Sequence, residues 1–228
     1  MEGMWIIGYG SLIFKPPPIY SFKVTGYLEG YIRRFWQSSS DHRGTPESPG
    51  RVVTLISLQD LLENPKFHND LQMYELNQSE ITTKTHKIDQ LAPKDLKVWG
   101  CAYYIDGKDV EEMKEYLDVR EQDGYTTHMV PFRITEVPQD EKARAVLEKI
   151  PKDDNMYYIK SSVYIGTIDN ESFIGPETIE DTGKVIKHSK GPSGENIEYL
   201  RNLCHSVRDL SAESVDLYLE DLLSLASK

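Results

Sequence analysis

Six apolar stretches, rich in β-branched and aromatic side chains, predict β-strands in this chain. Helical periodicity dominates residues 108–121 and most of the chain after about residue 176. This order predicts an α+β fold, in which a curved, mostly antiparallel sheet carries helices gathered toward the C-terminal end. The predicted strands are 5–9, 22–37, 51–57, 98–105, 128–137 and 157–167.

Two amphipathic helices are predicted near the C-terminus, each preceded by a serine suited to an N-cap. Ser193 would cap the first helix and Ser211 the second. We expect both helices to pack on the sheet through their apolar faces. These faces comprise Ile197, Leu200, Cys204 and Val207 in the first helix, and Val215, Leu219, Leu222 and Leu225 in the second.

Two polar stretches interrupt the pattern of strands and helices. Residues 58–97 are long and poorly periodic, and predict a surface insertion. Residues 138–156 predict a short helix between charged loops. We therefore expect residues 1–228 to form a single domain, with the insertion at 58–97 on its surface.

Composition narrows the class of protein. A chain of 228 residues can bury a sizeable core, and no apolar run approaches the roughly 20 residues that span a bilayer. The N-terminus lacks the basic and long apolar regions of a signal peptide. Cys101 and Cys204 lie in apolar stretches and predict packed, reduced thiols. We expect a cytoplasmic protein, leave its oligomeric state open, and regard a monomer as compatible with the pattern.

The net charge limits the classes of molecule that this protein is expected to bind. The formal net charge is −11, which disfavours nucleic acid because like charges repel the phosphate backbone. An anionic metabolite would need a locally positive pocket, or one rich in N–H groups. The six histidines are scattered without a zinc-binding spacing, so we predict no metal site.

The stretch WIIGYGSLIFKPP at residues 5–17 predicts a buried strand followed by a tight turn. Glycines permit positive φ and a close approach of ligand to backbone, and successive N–H groups in such a turn suit a carboxylate or an oxyanion. The stretch matches neither a phosphate loop, a dinucleotide-binding GxGxxG nor the hydrolase G-x-S-x-G, and Pro16 to Pro18 forbid the helix whose N-terminus would receive a pyrophosphate. An anion pocket and a purely structural turn both remain open on this pattern.

A second candidate feature is KDVEEMKEYLDVREQDGY at residues 108–125. At about 100° per residue, Glu121 falls on the same helix face as Val110, Met113 and Leu117. A carboxylate on an apolar face is costly unless it is paired or used, and burial raises its pKa toward the range of a general base. The alternative is that the helix ends before Gly124 and that Glu121 pairs with an arginine.

Basic and polar residues follow the second predicted strand. Asp41-His42-Arg43-Gly44 favours a network that stabilises a loop, although Arg43 could bind a substrate carboxylate through a bidentate contact. Arg33, Arg34 and Arg51 are explained by salt bridges on the strand surface. GPSGEN at 191–196 predicts a turn and helix cap that borders the pocket, rather than an anion site.

Taken together, several motifs resemble the ChaC family of γ-glutamylcyclotransferases in order and spacing. They are WIIGYGSLIFKPP, YIRRFWQSSSDHRGTPESPGRVVTL, YLDVREQDGY, SSVYIGTIDN and GPSGENIEYL. The resemblance covers most of the chain and lapses in 58–97 and 138–156. FWQ-x-S-x-DHRG, and the lack of an asparagine after Ser11, favour this branch over the sister cyclotransferases.

The resemblance implies a γ-glutamylcyclotransferase-like fold, a small mixed and mostly antiparallel β-barrel with flanking helices and a helical C-terminal part. It implies cleavage of glutathione to 5-oxoproline and cysteinylglycine without cofactor or metal. The glutamate of the family's R-E-x-x-G-Y pattern, the general base, maps onto Glu121. The turn that holds the γ-glutamyl group maps onto Gly8, Tyr9, Gly10, Ser11 and Leu12, with Ile6 and Ile7 leading in.

Two tyrosines complete the predicted site. We expect Tyr125 and Tyr164 to orient the substrate through their hydroxyls. The alternative for Tyr164 is a position in the hydrophobic core, which is more common for a tyrosine in a strand. Two other functions stay open: a sister cyclotransferase that acts on other γ-glutamyl amino acids or amines, and a γ-glutamyl-binding module without turnover.

Overall fold

The computed structural model describes residues 3–76, 88–120 and 125–228. Its strands, in chain order, are β1 (Met4–Gly8), β2 (Phe22–Glu29), β3 (Tyr31–Ser39), β4 (Gly50–Ser57), β5 (Lys97–Ile105), β6 (Thr126–Glu136), β7 (Lys152–Asp153), β8 (Met156–Ile165), β9 (Lys190–Gly191) and β10 (Gly194–Glu195). Its α-helices are α1 (Leu58–Glu63), α2 (His68–Leu71), α3 (Val110–Arg120), α4 (Glu141–Leu147), α5 (Ile179–His188), α6 (Asn196–Arg208) and α7 (Leu217–Ala226).

Five strands of the described chain close into a barrel in the order β1-β5-β2-β6-β8. The β1–β5, β5–β2, β2–β6 and β6–β8 pairs are antiparallel. A parallel contact between Ile6 of β1 and Ser162 of β8 completes the circle. The mixed, mostly antiparallel barrel and the α+β class predicted from the sequence are confirmed.

The predicted strand at 22–37 is wrong as a single element, because the chain turns at Gly30. This residue adopts φ of 79°, which is strained for residues that carry a side chain. The first half, β2, belongs to the barrel, while β3 pairs with β4 in a separate hairpin. Both halves are apolar, so the hydrophobic pattern carries no sign of the change of sheet.

The segment that follows β4 packs on this hairpin. Beyond α1 and α2 it contains short 3-10 turns at Pro65–Phe67, Ile88–Gln90 and Pro93–Asp95, and a π-helical turn at Gln72–Leu76. The ring of Trp36 stacks on that of Phe67 at a centroid distance of 5.4 Å. A second hydrophobic core results, composed of Ile32, Trp36, Ile56, Leu61, Phe67, Leu71, Leu91 and Leu96.

The C-terminal helices form, but both predicted caps are wrong. Asn196 begins α6 with no side-chain cap, and Ser193 lies in the turn between β9 and β10. Asp216 caps α7 by accepting a hydrogen bond from the N–H of Leu219. A turn held by Ser214 Oγ and the Ser211 carbonyl delays the start of that helix, so Val215 lies half exposed outside it.

The apolar faces of α6 and α7 largely follow the prediction. Leu200, Cys204 and Val207 of the first helix, and Leu219 and Leu222 of the second, are buried. Ile197 and Leu225 are only partly buried. The short helix expected within 138–156 is present as α4.

Across the described ranges, the helices are too short or too polar for a bilayer crossing.

Candidate functional site

The turn after β1 is built around a close approach at Gly10. A Cβ atom at this position would lie 2.9 Å from Cγ2 of Val53 and 3.3 Å from the hydroxyl of Tyr199. Gly10 has φ of −124° and ψ of −128°, so it does not use the positive φ that a glycine permits. One 3-10 turn, Ser11–Ile13, follows before Pro16. The glycine therefore serves proximity to the neighbouring side chains.

Three side chains from distant segments hold the turn. Arg33 donates from Nη1 to the carbonyl of Tyr9 at 2.7 Å, and the Tyr103 hydroxyl donates to the carbonyl of Leu12 at 2.7 Å. Arg120 donates from Nη2 to Ser11 Oγ at 3.0 Å. Strand β3, strand β5 and the end of α3 thus position one short loop.

The prediction that Arg33 and Arg34 form surface salt bridges is wrong. Arg33 is 2 % exposed and also donates to the carbonyl of Trp99 and to Asp216. Arg34 is fully buried, where it pairs with Asp70 and Glu75 and lies 4.5 Å from the ring of Tyr218. Both faces of β3 are covered, so alternating positions do not reach solvent.

Arg51 forms the expected salt bridge, a bidentate contact with Glu177 at 2.9 and 2.8 Å.

A small cavity of about 50 Å³ opens beside the turn. The structure brings Ile7 and the predicted residues 9–12 together with both predicted tyrosines. Ile6 and Gly8 lie in β1, outside its lining. The full lining is Ile7, Tyr9, Gly10, Ser11, Leu12, Val53, Tyr125, Tyr164 and Tyr199.

A larger cavity of about 260 Å³ adjoins the small one and shares Ser11, Tyr125 and Tyr199 with it. Its described lining includes the cations Lys15, Arg43 and Arg120 and the single carboxylate of Asp41. The described part of the lining is therefore net positive, against −11 for the whole chain. The remaining lining residues are Ser38, Ser39, His42, Val52, Tyr116 and Ser193.

The tyrosines connect the barrel to this site. The Tyr9 hydroxyl donates to the carbonyl of Tyr164 at 3.0 Å, and the Tyr164 hydroxyl donates to Oδ1 of Asp118 at 3.4 Å. Tyr164 is partly buried rather than a closed core residue. Its hydroxyl contact lies toward α3, which carries the start of the YLDVREQDGY motif.

His42 joins two loops at the rim of the larger cavity. Its Nε2 lies 3.3 Å from Oδ2 of Asp41, and its Nδ1 lies 3.2 Å from Oγ of Ser193. The N–H of Ser193 also donates to the carbonyl of His42 at 3.0 Å. These contacts support the loop-stabilising interpretation of Asp41 and His42. They also place the GPSGEN loop at the pocket border, as predicted.

Glu121, the predicted general base, lies outside the described residues. On the described part of α3, Met113 and Leu117 are buried, as the helical pattern predicts. Arg120 and Tyr125, the described residues on either side of Glu121 in the chain, both line the larger cavity.

The thiols are packed, as their apolar context predicts. Cys101 and Cys204 are both buried and free. Burial raises the pKa of the Cys101 thiol to about 11 and that of the Cys204 thiol to about 12. Neither thiol lines either cavity.

Within the described ranges, no cluster of three or more His, Cys, Asp or Glu side chains is arranged to hold a metal ion.

Several lining residues escaped the sequence reasoning. Arg120 carried a signal, because it precedes Glu121 in the same motif. Ser193 lies in the GPSGEN loop that was expected at the pocket border, whereas Tyr199 and Val53 were not singled out and reach the turn only through the fold. Lys15 and Tyr116 likewise gave no local cue.

Comparison with known proteins identifies relatives over the whole chain. The family model of ChaC-like proteins matches residues 4–228. The glutathione-specific γ-glutamylcyclotransferase of Saccharomyces cerevisiae is 41 % identical over 235 residues, covering 100 % of this chain and 97 % of the relative. The human glutathione-specific γ-glutamylcyclotransferase 1 is 31 % identical, covering 96 % and 76 %.

A crystal structure of the yeast cyclotransferase specific to glutathione superimposes with a TM-score of 0.88 at 42 % identity. The match covers 100 % of this chain and 96 % of that one.

Proposed function

This chain belongs to the ChaC-like family, and we propose that it is a glutathione-specific γ-glutamylcyclotransferase. The reaction converts reduced glutathione to 5-oxoproline and cysteinylglycine. The observation that carries the proposal is the two-part cavity. Its small part is built on the Gly-Tyr-Gly-Ser turn, and its larger part, whose described lining is net positive, shares Ser11, Tyr125 and Tyr199 with the small one.

The chemistry requires little beyond positioning and proton transfer. The α-amine of the γ-glutamyl unit attacks its own γ-carbonyl carbon, forming the C–N bond of a five-membered ring. The amide bond to the cysteinyl nitrogen breaks, and the proton lost by the amine passes to that nitrogen. Because both reacting groups belong to one residue, a site that holds them in contact supplies much of the rate.

Glu121 is the general acid and base in this proposal. It takes a proton from the substrate ammonium, so that the neutral amine can attack, and delivers a proton to the departing nitrogen. The second proton that the amine loses on ring closure ends on the same nitrogen, which leaves as the ammonium of cysteinylglycine. The proposal is supported by the family motif, by the buried face of α3 that precedes Glu121, and by the cavity positions of Arg120 and Tyr125 on either side of it.

The turn at residues 8–12 would hold the γ-glutamyl group. The first N–H groups of the 3-10 turn have no acceptor within it, and they suit the α-carboxylate or the developing oxyanion. Tyr125 and Tyr164 border the same small cavity and would orient the substrate. Ile6 and Gly8 would act through β1, whose pairing with β5 places the turn.

A glutamine at position 121 tests the proposed base. Glu121→Gln keeps the shape and removes the basicity, so we expect 5-oxoproline formation from glutathione to fall about 100-fold or more. Glu112→Gln, at an exposed position of α3, is the matched control and should retain the wild-type rate. A rate for Glu121→Gln close to that of the control would exclude the assignment.

A substrate panel separates the alternative functions. Wild-type protein is incubated with glutathione, γ-glutamyl amino acids and γ-glutamylamines, and both products are followed. Product from glutathione alone supports the proposal, product only from the other donors indicates a sister activity, and no product indicates a binding module.

The cytoplasmic location predicted from the sequence forms part of the same proposal.

A further inference from the structure

Arg43 is a buried cation with part of its guanidinium unused. The residue is 3 % exposed and lines the larger cavity. Its Nη1 donates to the carbonyl of Glu195 at 2.9 Å and lies 3.3 Å from Oε2 of Glu198. Its guanidinium carbon lies 5.5 Å from the ring centre of Tyr199. These contacts fix one nitrogen and the orientation of the group.

The opposite edge of the guanidinium has no partner among the residues that the structure describes. Within the described ranges, neither Nε nor Nη2 has a hydrogen-bond acceptor, and neither is among the buried polar atoms shut off from solvent. Arg43 lines the larger cavity and its Nη1 is engaged by Glu195 and Glu198, so this edge is the part of the guanidinium left to meet a ligand there. Nε and Nη2 form the planar pair of donors that binds a carboxylate through two parallel hydrogen bonds.

The surroundings favour an anion at this edge. Lys15 is exposed on the same cavity, and its ammonium has no acceptor within the described chain. Asp41, the carboxylate in the described lining, is already engaged with His42. Leaving a buried guanidinium half unpaired is costly, so a ligand carboxylate would supply the acceptors that the described part of the chain does not provide.

We propose that Arg43, with Lys15 at the cavity mouth, binds the glycine carboxylate in the leaving half of glutathione. This inference rests on the proposed function. Glutathione has two carboxylates, and the one beside the attacking amine belongs with the turn and the small cavity. Arg43 lines only the larger cavity, so it takes the carboxylate that is remote from the reacting atoms. This contact selects a tripeptide over a γ-glutamylamine.

Paired substrates test the contact in the wild-type protein without any mutation. Glutathione is compared with its C-terminal carboxamide, which has nearly the same shape and lacks the negative charge. We expect kcat/KM for the carboxamide to be about 10- to 100-fold lower, mostly through a higher KM, because charge-assisted contacts of this kind favour the acid by that factor.

Variants then assign the contact to residues. In Arg43→Gln the ratio of kcat/KM for the acid to kcat/KM for the carboxamide should fall toward one. In Lys15→Gln the logarithm of this ratio should fall by about half or more. Lys187→Gln, at an exposed position of α5 outside both cavities, is the matched control and should keep the wild-type preference.

The outcomes are distinguishable. Equal turnover of acid and carboxamide by wild-type protein overturns the inference, as does an unchanged preference in folded Arg43→Gln. Should Arg43→Gln fail to fold, the wild-type comparison and Lys15→Gln still decide. Absence of 5-oxoproline from both substrates would instead overturn the proposed function.

Discussion

Among single side chains, Arg33 shows how a buried cation can hold the turn that follows β1. It donates to two carbonyls, those of Tyr9 and Trp99, and pairs with Asp216. The Tyr9 carbonyl belongs to the turn, the Trp99 carbonyl belongs to β5, and Asp216 is the N-cap of α7. A guanidinium meets all three because its donors point in fixed, divergent directions.

Replacement of Arg33 by lysine should damage both stability and catalysis. The single ammonium of Arg33→Lys cannot reach three separated acceptors, and a buried acceptor left unpaired is costly. We expect the free energy of unfolding to fall by about 3 kcal/mol in chemical denaturation, with a lower kcat/KM for glutathione. Arg201→Lys, on the exposed face of α6, is the control and should change neither. A loss below about 1 kcal/mol with normal kinetics would contradict this role.

The packing of α6 against α7 includes a charged contact beside the apolar one. Arg208 of α6 donates to both carboxylate oxygens of Glu220 of α7. The Cys204 thiol donates to the same carboxylate at 3.3 Å. The hydrogen bond from Arg208 holds the pKa of the Glu220 carboxyl below its usual range. This contact therefore stabilises the helix pair only while the carboxyl is ionised.

The pH dependence of this contact has a definite sign. Because the folded pKa of Glu220 is lowered, its contribution is complete above the unfolded pKa of about 4.3 and is lost as pH falls through the folded value. We expect Glu220→Gln to lower the free energy of unfolding by about 0.5–1 kcal/mol at pH 7, since the pair is partly exposed, and the difference to shrink below about pH 4. Denaturation curves at several pH values measure this. A difference that grows toward low pH, or an equal effect of the exposed control Glu171→Gln, would contradict it.

For the molecule as a whole, the barrel is not the only core. The β3–β4 hairpin leaves the barrel, and its apolar face is covered by the segment after β4. Phe67 from that segment is fully buried against Trp36. The same hairpin carries Arg33 toward the turn, so the covering segment supports the wall that holds the site. The prediction that 58–97 is an insertion relative to the family stays a prediction.

The energetic weight of this second core can be measured. Phe67→Ala removes a buried aromatic side chain and should lower the free energy of unfolding by about 3–5 kcal/mol. Met73→Ala, at a 58 % exposed position of the same segment, is the control and should cost no more than about 0.5 kcal/mol. Equal, small effects of the two changes would show that the segment is attached loosely to the hairpin.

Prediction from sequence succeeded where the relevant interactions are local. The strand before Gly10, the buried positions Met113 and Leu117, and the short helix at 141–147 follow from periodicity and propensity. It failed where a local pattern has several tertiary outcomes. Ser193 and Ser211 have side chains suited to caps. However, Ser193 lies in the β9–β10 hairpin and Ser211 in a turn, and each of these ends before the helix begins.

The same distinction between local and tertiary interactions applies to the residues of the candidate site. Motifs continuous along the chain, such as residues 9–12 and REQDGY, could be recognised from sequence because their residues are neighbours in it. The burial of Arg33, the approach of Tyr199 to Gly10 and the open edge of Arg43 could not, because each depends on elements separated by many residues. Periodicity reports which face of an element is apolar, whereas closure of the barrel decides what that face meets. The family and its proposed reaction could therefore be inferred from the sequence. The burial of Arg33 and the surroundings of Arg43 were decided by the tertiary structure, because it brings together segments that lie far apart in the chain.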